Sequence, residues 1–247
     1  MYSQFSQFYD ALMCDVDYKA RTDYICTLFK KYDKIPTLLL DLACGTGGFS
    51  NELAKRNISV IGVDLSSEML SVAREKSAQQ GIDVLYLCQN ACELDLFGTV
   101  DGAVCCMDSI NHITDYNDLC EAFKRVSLFL EKDRIFIFDV NTLHKHRNVL
   151  GNNTFVIEQD DVFCVWDNFF DEESGITEIN LDFFITDDGE NYKRYSDFLK
   201  ERAYSEDELK KALNMAGFEV LEIFDELTCH PVRLNSERAF YVARKVK

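Results

Sequence analysis

The chain is short of proline. Only Pro36 and Pro231 occur among its 247 residues, so the stretch between them can run through regular elements without a fixed φ or a missing amide donor. It also lacks paired cysteines. Ten are present, but none in a CxxC pair, and a structural zinc site usually shows two such pairs. No metal is expected, and the thiols read as reduced groups of a cytoplasmic protein. No apolar run approaches the roughly 18 residues of a membrane span. The opening Met1-Tyr2-Ser3-Gln4-Phe5 has no basic segment followed by an apolar one, so no secretory signal is expected. Basic residues are few: 26 against 43 acidic, a formal charge of −17. Binders of nucleic acid or anionic membrane need a basic surface, so neither is the expected partner.

What is present suits an α/β protein. Apolar residues make up 47% of the chain, enough for a large core. Tyr2, Phe5, Phe8 and Tyr9 recur at helical spacing. Tyr18, Ile25, Leu28 and Phe29 form a second stripe, so residues 1–36 are predicted to be helical. From Thr37, short apolar strands alternate with helices. Strands are predicted at 37–42, 60–64, 84–88, 102–107 and 134–139. Helices are predicted to about Lys55, from Ser66 or Ser67 to near Gly81, and over 117–130. This alternation implies a parallel sheet covered on both faces. After Val149 the pattern changes. Strand-like runs at 154–158, 162–170, 176–186 and 192–199 are separated by Asp160-Asp161, Ser174-Gly175 and Asp187-Asp188-Gly189, which predicts an antiparallel meander. Ser205-Glu206-Asp207-Glu208 is a capping box that opens a helix stopped by Gly217. Two strands, 219–224 and 239–244, are predicted to close the chain as a hairpin.

Two motifs carry chemistry. The first is Asp41-Leu42-Ala43-Cys44-Gly45-Thr46-Gly47, a strand ending in a glycine turn that opens a helix. Such a turn lets the backbone approach a ligand. A dinucleotide fold would want a third glycine where Ser50 stands. Asp41 suits a ligand bearing an ammonium group. The second motif is Gly62-Val63-Asp64-Leu65-Ser66. A carboxylate at a strand end, about 20 residues past the glycine turn, can take both hydroxyls of a ribose.

Together, Asp-Leu-Ala-Cys-Gly-Thr-Gly and Gly-Val-Asp-Leu-Ser-Ser-Glu-Met-Leu resemble the first two motifs of class I S-adenosylmethionine-dependent methyltransferases. The resemblance spans about Thr37 to Asp139. It implies a Rossmann-like seven-stranded methyltransferase sheet with a C-terminal antiparallel hairpin, here carrying an inserted antiparallel β meander. It implies S-adenosyl-L-methionine as cofactor and S-adenosyl-L-homocysteine as product. By the same similarity, Gly45 and Gly47 line the methionine part, and Ala43, where the family commonly has glycine, belongs to the same turn. Asp41 lies near the amino group, and Asp64, followed by Leu65, takes the ribose. Met69 packs on adenine, Asn90 and Ala91 meet its edge, and Met107 lies near the methyl group.

The layout also resembles amino-sugar N-methyltransferases and the glycine N-methyltransferase group, through Tyr9-Asp10 and the meander. That implies a helical cap over 1–36, with Tyr9 at the cofactor. It also implies a cofactor domain over 37–151 and 202–247, and a β lid over 152–201 that roofs the acceptor. Methyltransferases acting on base amino groups often carry Asn/Asp-Pro-Pro-Tyr/Phe after the fourth strand. This chain has Met107-Asp108-Ser109-Ile110-Asn111-His112 there, which turns the expectation to a small-molecule acceptor, an amine for preference. Asp108, Asn111 and His112 are the candidate catalytic groups, and Asp139, Asn141 and His144 are further candidates for the acceptor pocket. A homodimer is compatible with the pattern. The rival readings are a cofactor-binding module without catalysis and an NAD-dependent oxidoreductase.

Overall fold

A computed structural model describes residues 5–159, 161–186 and 188–247. Tyr2 of the first apolar stripe and the turn residues Asp160 and Asp187 lie outside them. The order of elements is α1 (Phe5–Leu12), α2 (Tyr18–Tyr32), β1 (Leu38–Leu42), α3 (Gly48–Ala54), β2 (Ser59–Asp64), α4 (Ser67–Gln79), β3 (Leu85–Cys88), β4 (Gly102–Cys105), α5 (Tyr116–Phe129) and β5 (Ile135–Asn141). Then come β6 (Thr154–Gln159), β7 (Val162–Asp171), β8 (Ile176–Ile185), β9 (Lys193–Arg202), α6 (Glu206–Met215), β10 (Phe218–Asp225) and β11 (Arg238–Lys245).

Seven strands form one sheet in the order β10-β11-β5-β4-β1-β2-β3. β1 to β5 pair in parallel, and β11 runs antiparallel to both β5 and β10. Every residue of β5 is buried, as a central strand covered on both faces requires. Its Phe136 and Phe138 pack with Phe123 of α5, and the Phe138 ring stacks on Tyr241 of β11 at 4.8 Å. Side chains of this size each contribute about 1.5–3 kcal/mol on burial. On the other face, α2 sinks Ile25, Leu28 and Phe29 into the core beside Leu39, Val104 and Ile137.

The helix signals in the sequence take effect locally. Ser66 caps α4 by accepting from the Met69 amide at 3.1 Å, with Glu68 in the first turn where the helix dipole favours it. The Ser205–Glu208 capping box is formed at the start of α6.

The four-stranded meander β6-β7-β8-β9 is a separate sheet. Along β8, Thr177, Ile179, Leu181 and Phe183 are buried and alternate with less buried residues. This inner face and α1 share one apolar cluster with Met69 of α4. The meander and α1 therefore lie over the carboxyl ends of the parallel strands, where ligands bind in open α/β sheets. Among the described residues, no helix is long and apolar enough to cross a membrane.

Candidate functional site

A cavity of about 340 Å³ opens between the carboxyl ends of β1, β2 and β4, helix α1, and the inner face of the meander. It falls within the range usual for ligand pockets. One end is built from the glycine turn. Ala43, Gly45 and Gly47 all take left-handed backbone angles, with φ of 56°, 54° and 77°. This coils the chain back so that the Gly45 amide donates to Asp64 Oδ2 at 2.8 Å, while the Ser66 amide donates to Oδ1 at 2.9 Å. The Asp64 carboxylate is thereby held by backbone and faces the cavity. Burial raises its pKa, against these two bonds. A Cβ at Gly45 would meet nothing within 4 Å, so this position borders open space. Gly47 differs: a Cβ there would strike the Tyr86 hydroxyl at 2.4 Å, so its glycine serves helix–strand packing.

Asp41 sits behind the turn, 2% exposed. Ser50 Oγ donates to it at 2.6 Å, so the serine at the third glycine position is committed to Asp41. Burial pushes the Asp41 pKa up to about 7, against the Ser50 bond, and neighbouring Asp64 pushes the same way. A small second cavity of about 30 Å³ joins Asp41 to Tyr9, Tyr18 and Gly45. Helix α1 is tied down there: Asp10 accepts from Thr46 Oγ1 at 2.7 Å and from Lys76 Nζ at 2.9 Å.

The other end is a buried charged network. After β4, Met107 and Asp108 both adopt left-handed angles, with φ of 59° and 51°. Asp139 of β5 holds them there, accepting from both amides at 2.9 and 3.0 Å. Arg238, on the reversed strand β11, pairs with Asp139 and, at 2.7 Å, with Asp108. Burial alone would raise the Asp108 pKa; Arg238, with Lys145 and His112, outweighs it and holds the carboxyl well below the usual range. Asn141 donates to Asp108 Oδ2 at 3.0 Å and to Glu201 Oε2 at 3.2 Å. Glu201, from β9, has its side chain 5% exposed and lies 3.7 Å from His112 Nε2. Burial, then neighbouring Asp108, raises the Glu201 pKa. His146 is fully buried, with Nδ1 2.7 Å from Thr177 Oγ1. Burial lowers its pKa to about 4.

Of the residues singled out by sequence, Tyr9, Ala43, Gly45, Asp64, Leu65, Met69, Asn90, Ala91, Met107, Asp108 and His112 line the large cavity. Asp41 reaches only the small one, and Gly47 reaches neither. Asn111 does not line the cavity. It is fully buried, donating to the Asn141 and Arg202 carbonyls at 3.2 and 2.8 Å and accepting from the Asn141 amide at 2.9 Å, so it fastens β5 to β9. Asp139 and Asn141 stand behind the wall, and His144 is not part of it. The sequence reading did not find Glu201, Arg238 or His146. Trp166 lines the cavity as well.

These residues fit S-adenosylmethionine. The open space beside Gly45 admits a close-lying backbone contact, and the fixed Asp64 carboxylate can accept from two ribose hydroxyls.

Comparison with known proteins agrees. The profile of a family described as a methyltransferase domain matches residues 39–133. YqeM of Bacillus subtilis (strain 168), provisionally assigned as a methyltransferase, is 34% identical across 100% of this chain and 98% of its own. The crystal structure of an S-adenosylmethionine-dependent methyltransferase from Clostridium acetobutylicum ATCC 824 superposes with a TM-score of 0.89 at 36% identity, covering 100% of this chain and 99% of that one. A sugar N-methyltransferase from Streptoalloteichus sp ATCC 53650 shares the fold at a TM-score of 0.79 and 18% identity, over 98% of this chain and 93% of its own.

Proposed function

The chain belongs to the class I S-adenosylmethionine-dependent methyltransferases, and from that premise we propose that it methylates a small-molecule amine. The observation that carries this reading is the acidic end of the cavity. Lining the same cavity as Asp64 are Asp108, held ionised by Arg238, and the buried Glu201. An end of that kind attracts an ammonium group and repels a carboxylate or phosphate.

Bound S-adenosylmethionine supplies a sulfonium methyl already activated for attack. The chain has to orient the acceptor, exclude water and accept a proton. The Asp64 end fixes the cofactor, and the meander with α1 closes the space above it. Asp108 keeps its charge, and each of its oxygens already accepts one hydrogen bond, from Arg238 and Asn141, so it acts on the acceptor mainly by field. Labelled methyl uptake, screened over amines, matching alcohols and carboxylates, tests the proposal. Uptake confined to amines is expected; uptake confined to hydroxyl acceptors overturns it.

We also propose a cytoplasmic setting without a nucleic-acid or membrane partner. Ten cysteines with no disulfide suit a reducing setting, and a charge of −17 opposes polyanions. Neither tRNA nor duplex DNA should be retained in a filter assay at physiological salt. Tight, salt-sensitive retention of either would contradict this.

A further inference from the structure

We propose that Glu201 receives the acceptor's ammonium group and takes its proton, and that the acceptor is an amine on an apolar body without phosphate or carboxylate. The proposal rests on the amine reading above and specifies it. Glu201 projects from the end of β9 into the cavity with its side chain 5% exposed. Its Oε2 accepts from Asn141. Its Oε1 accepts no hydrogen bond among the described residues, and His112 Nε2 stands 3.7 Å away. His112 Nδ1 is buried without a partner. A buried polar atom left in this state is costly, and a ligand N–H beside Glu201 Oε1 gives the carboxylate a second donor. Asp108, the other carboxylate at this end, is already bound by Arg238 and Asn141. Glu201 is therefore the one with an oxygen to spare.

The remaining wall fixes the rest of the acceptor. Ile157, Trp166, Ile179, Leu181 and Leu199 line it from all four meander strands. Trp166 Nε1 already donates to Asn168 Oδ1 at 2.7 Å, so the indole offers its ring to the cavity. Among the described lining residues there is no lysine or arginine. A phosphate or carboxylate on the acceptor would want such a cation, usually an arginine fork. An apolar body instead gains roughly 25 cal/mol per Å² removed from water.

In the reaction, an ammonium N–H bond breaks as an O–H bond forms on Glu201. The nitrogen lone pair then forms the N–C bond while the C–S bond breaks. Its electron pair stays on sulfur as the thioether of S-adenosylhomocysteine. The product leaves as a methylated ammonium. The proton on Glu201 passes to His112, whose side chain is 30% exposed to solvent.

Calorimetry on the full chain saturated with S-adenosylhomocysteine tests this, with 2-phenylethylamine, propylamine, 2-phenylethanol and O-phosphoethanolamine as probes. 2-Phenylethylamine should bind at least about tenfold more tightly than each of the others, a difference of roughly 1.4 kcal/mol. Glu201→Gln should lose at least about tenfold for 2-phenylethylamine while holding S-adenosylhomocysteine within about threefold. Unchanged amine affinity in that variant, or equal binding of O-phosphoethanolamine, overturns the proposal and leaves the amine reading standing. If 2-phenylethanol binds and no amine does, both fall. Should Glu201→Gln also lose S-adenosylhomocysteine, Trp166→Ala decides the nature of the body. A reduced preference for 2-phenylethylamine over propylamine supports the apolar wall, and an unchanged preference overturns it.

Discussion

The two ends of the cavity are made in different ways. The Asp64 end is local: β1, the glycine turn, β2 and the start of α4 lie within residues 38–69, and Asp64 is held by two backbone amides. The Asp108–Glu201 end, proposed for the acceptor, is assembled from distant segments. Asp108 follows β4, Asp139 and Asn141 end β5, Glu201 ends the meander, and Arg238 opens the last strand. Backbone amides are fixed by the fold and add no net charge. The acceptor end instead balances one buried guanidinium against several carboxylates, so each charge there depends on its partners. The first construction suits a ligand part that stays constant. The second is open to change of substrate one side chain at a time.

The sharpest way to break this contrast is Arg238→Met. It leaves Asp108 and Asp139 buried without their cation, and stability should fall by about 3–5 kcal/mol in denaturant unfolding. A loss under about 1 kcal/mol would mean that the network is far less interdependent than its geometry implies. Next in size is Asp64→Ala, expected to weaken S-adenosylhomocysteine binding by about 1.5–3 kcal/mol by calorimetry, the scale for hydrogen bonds to a charged group. The unliganded fold should survive, because the loss is confined to a strand end. Unchanged affinity would remove Asp64 from the site.

A pH titration sharpens the comparison further. The Asp41 pKa is raised from 3.8 to about 7 by burial. If the ionised form meets the cofactor's ammonium, affinity for S-adenosylhomocysteine should fall as pH drops below about 7, approaching tenfold per unit, and Asp41→Asn should flatten the profile. A profile equally steep in the variant would assign the proton elsewhere. Stability of the unliganded protein carries the opposite sign. The Asp41 contribution is full below 3.8 and is lost as pH rises through about 7. His146, depressed from 6.5 to about 4, contributes stability above 6.5 that is lost as pH falls through 4. Comparing wild type with Asp41→Asn separates the two. The smallest effect is expected at Ala43→Gly. Alanine at φ 56° costs about 1–2 kcal/mol, and glycine gives back about 0.5–1 in unfolded-chain entropy. The net gain should be under about 1.5 kcal/mol, read as a small rise in Tm. A lowered Tm would show that the turn does not need its left-handed angle.

Legibility in the sequence follows the same division. The alternation of apolar runs set out the strands and helices, and the meander showed in its turn residues. The cofactor end was legible because its parts adjoin in sequence: glycines where φ is positive or a Cβ would clash, and an aspartate at the next strand end. The acceptor end was not. Glu201 stands inside the charged run Lys200-Glu201-Arg202 and reads as an exposed strand end, and Arg238 stands one residue before the strand that the apolar pattern marks. Their burial comes from the end of β9 reaching the turn after β4 and from β11 pairing with β5, a tertiary event that no local period records. Asn111 misled for the converse reason. It stands one residue from His112 in a short helical turn, yet the turn aims it at backbone.

The structure of the protein with S-adenosylhomocysteine bound tests the division between the two ends most directly. The account predicts ribose hydroxyls on Asp64, the homocysteine sulfur facing the Asp108–Glu201 end, and the space beside Trp166 and Leu181 left free for the acceptor. A ligand lying along the meander wall, with Asp64 making no contact to it, would contradict the account.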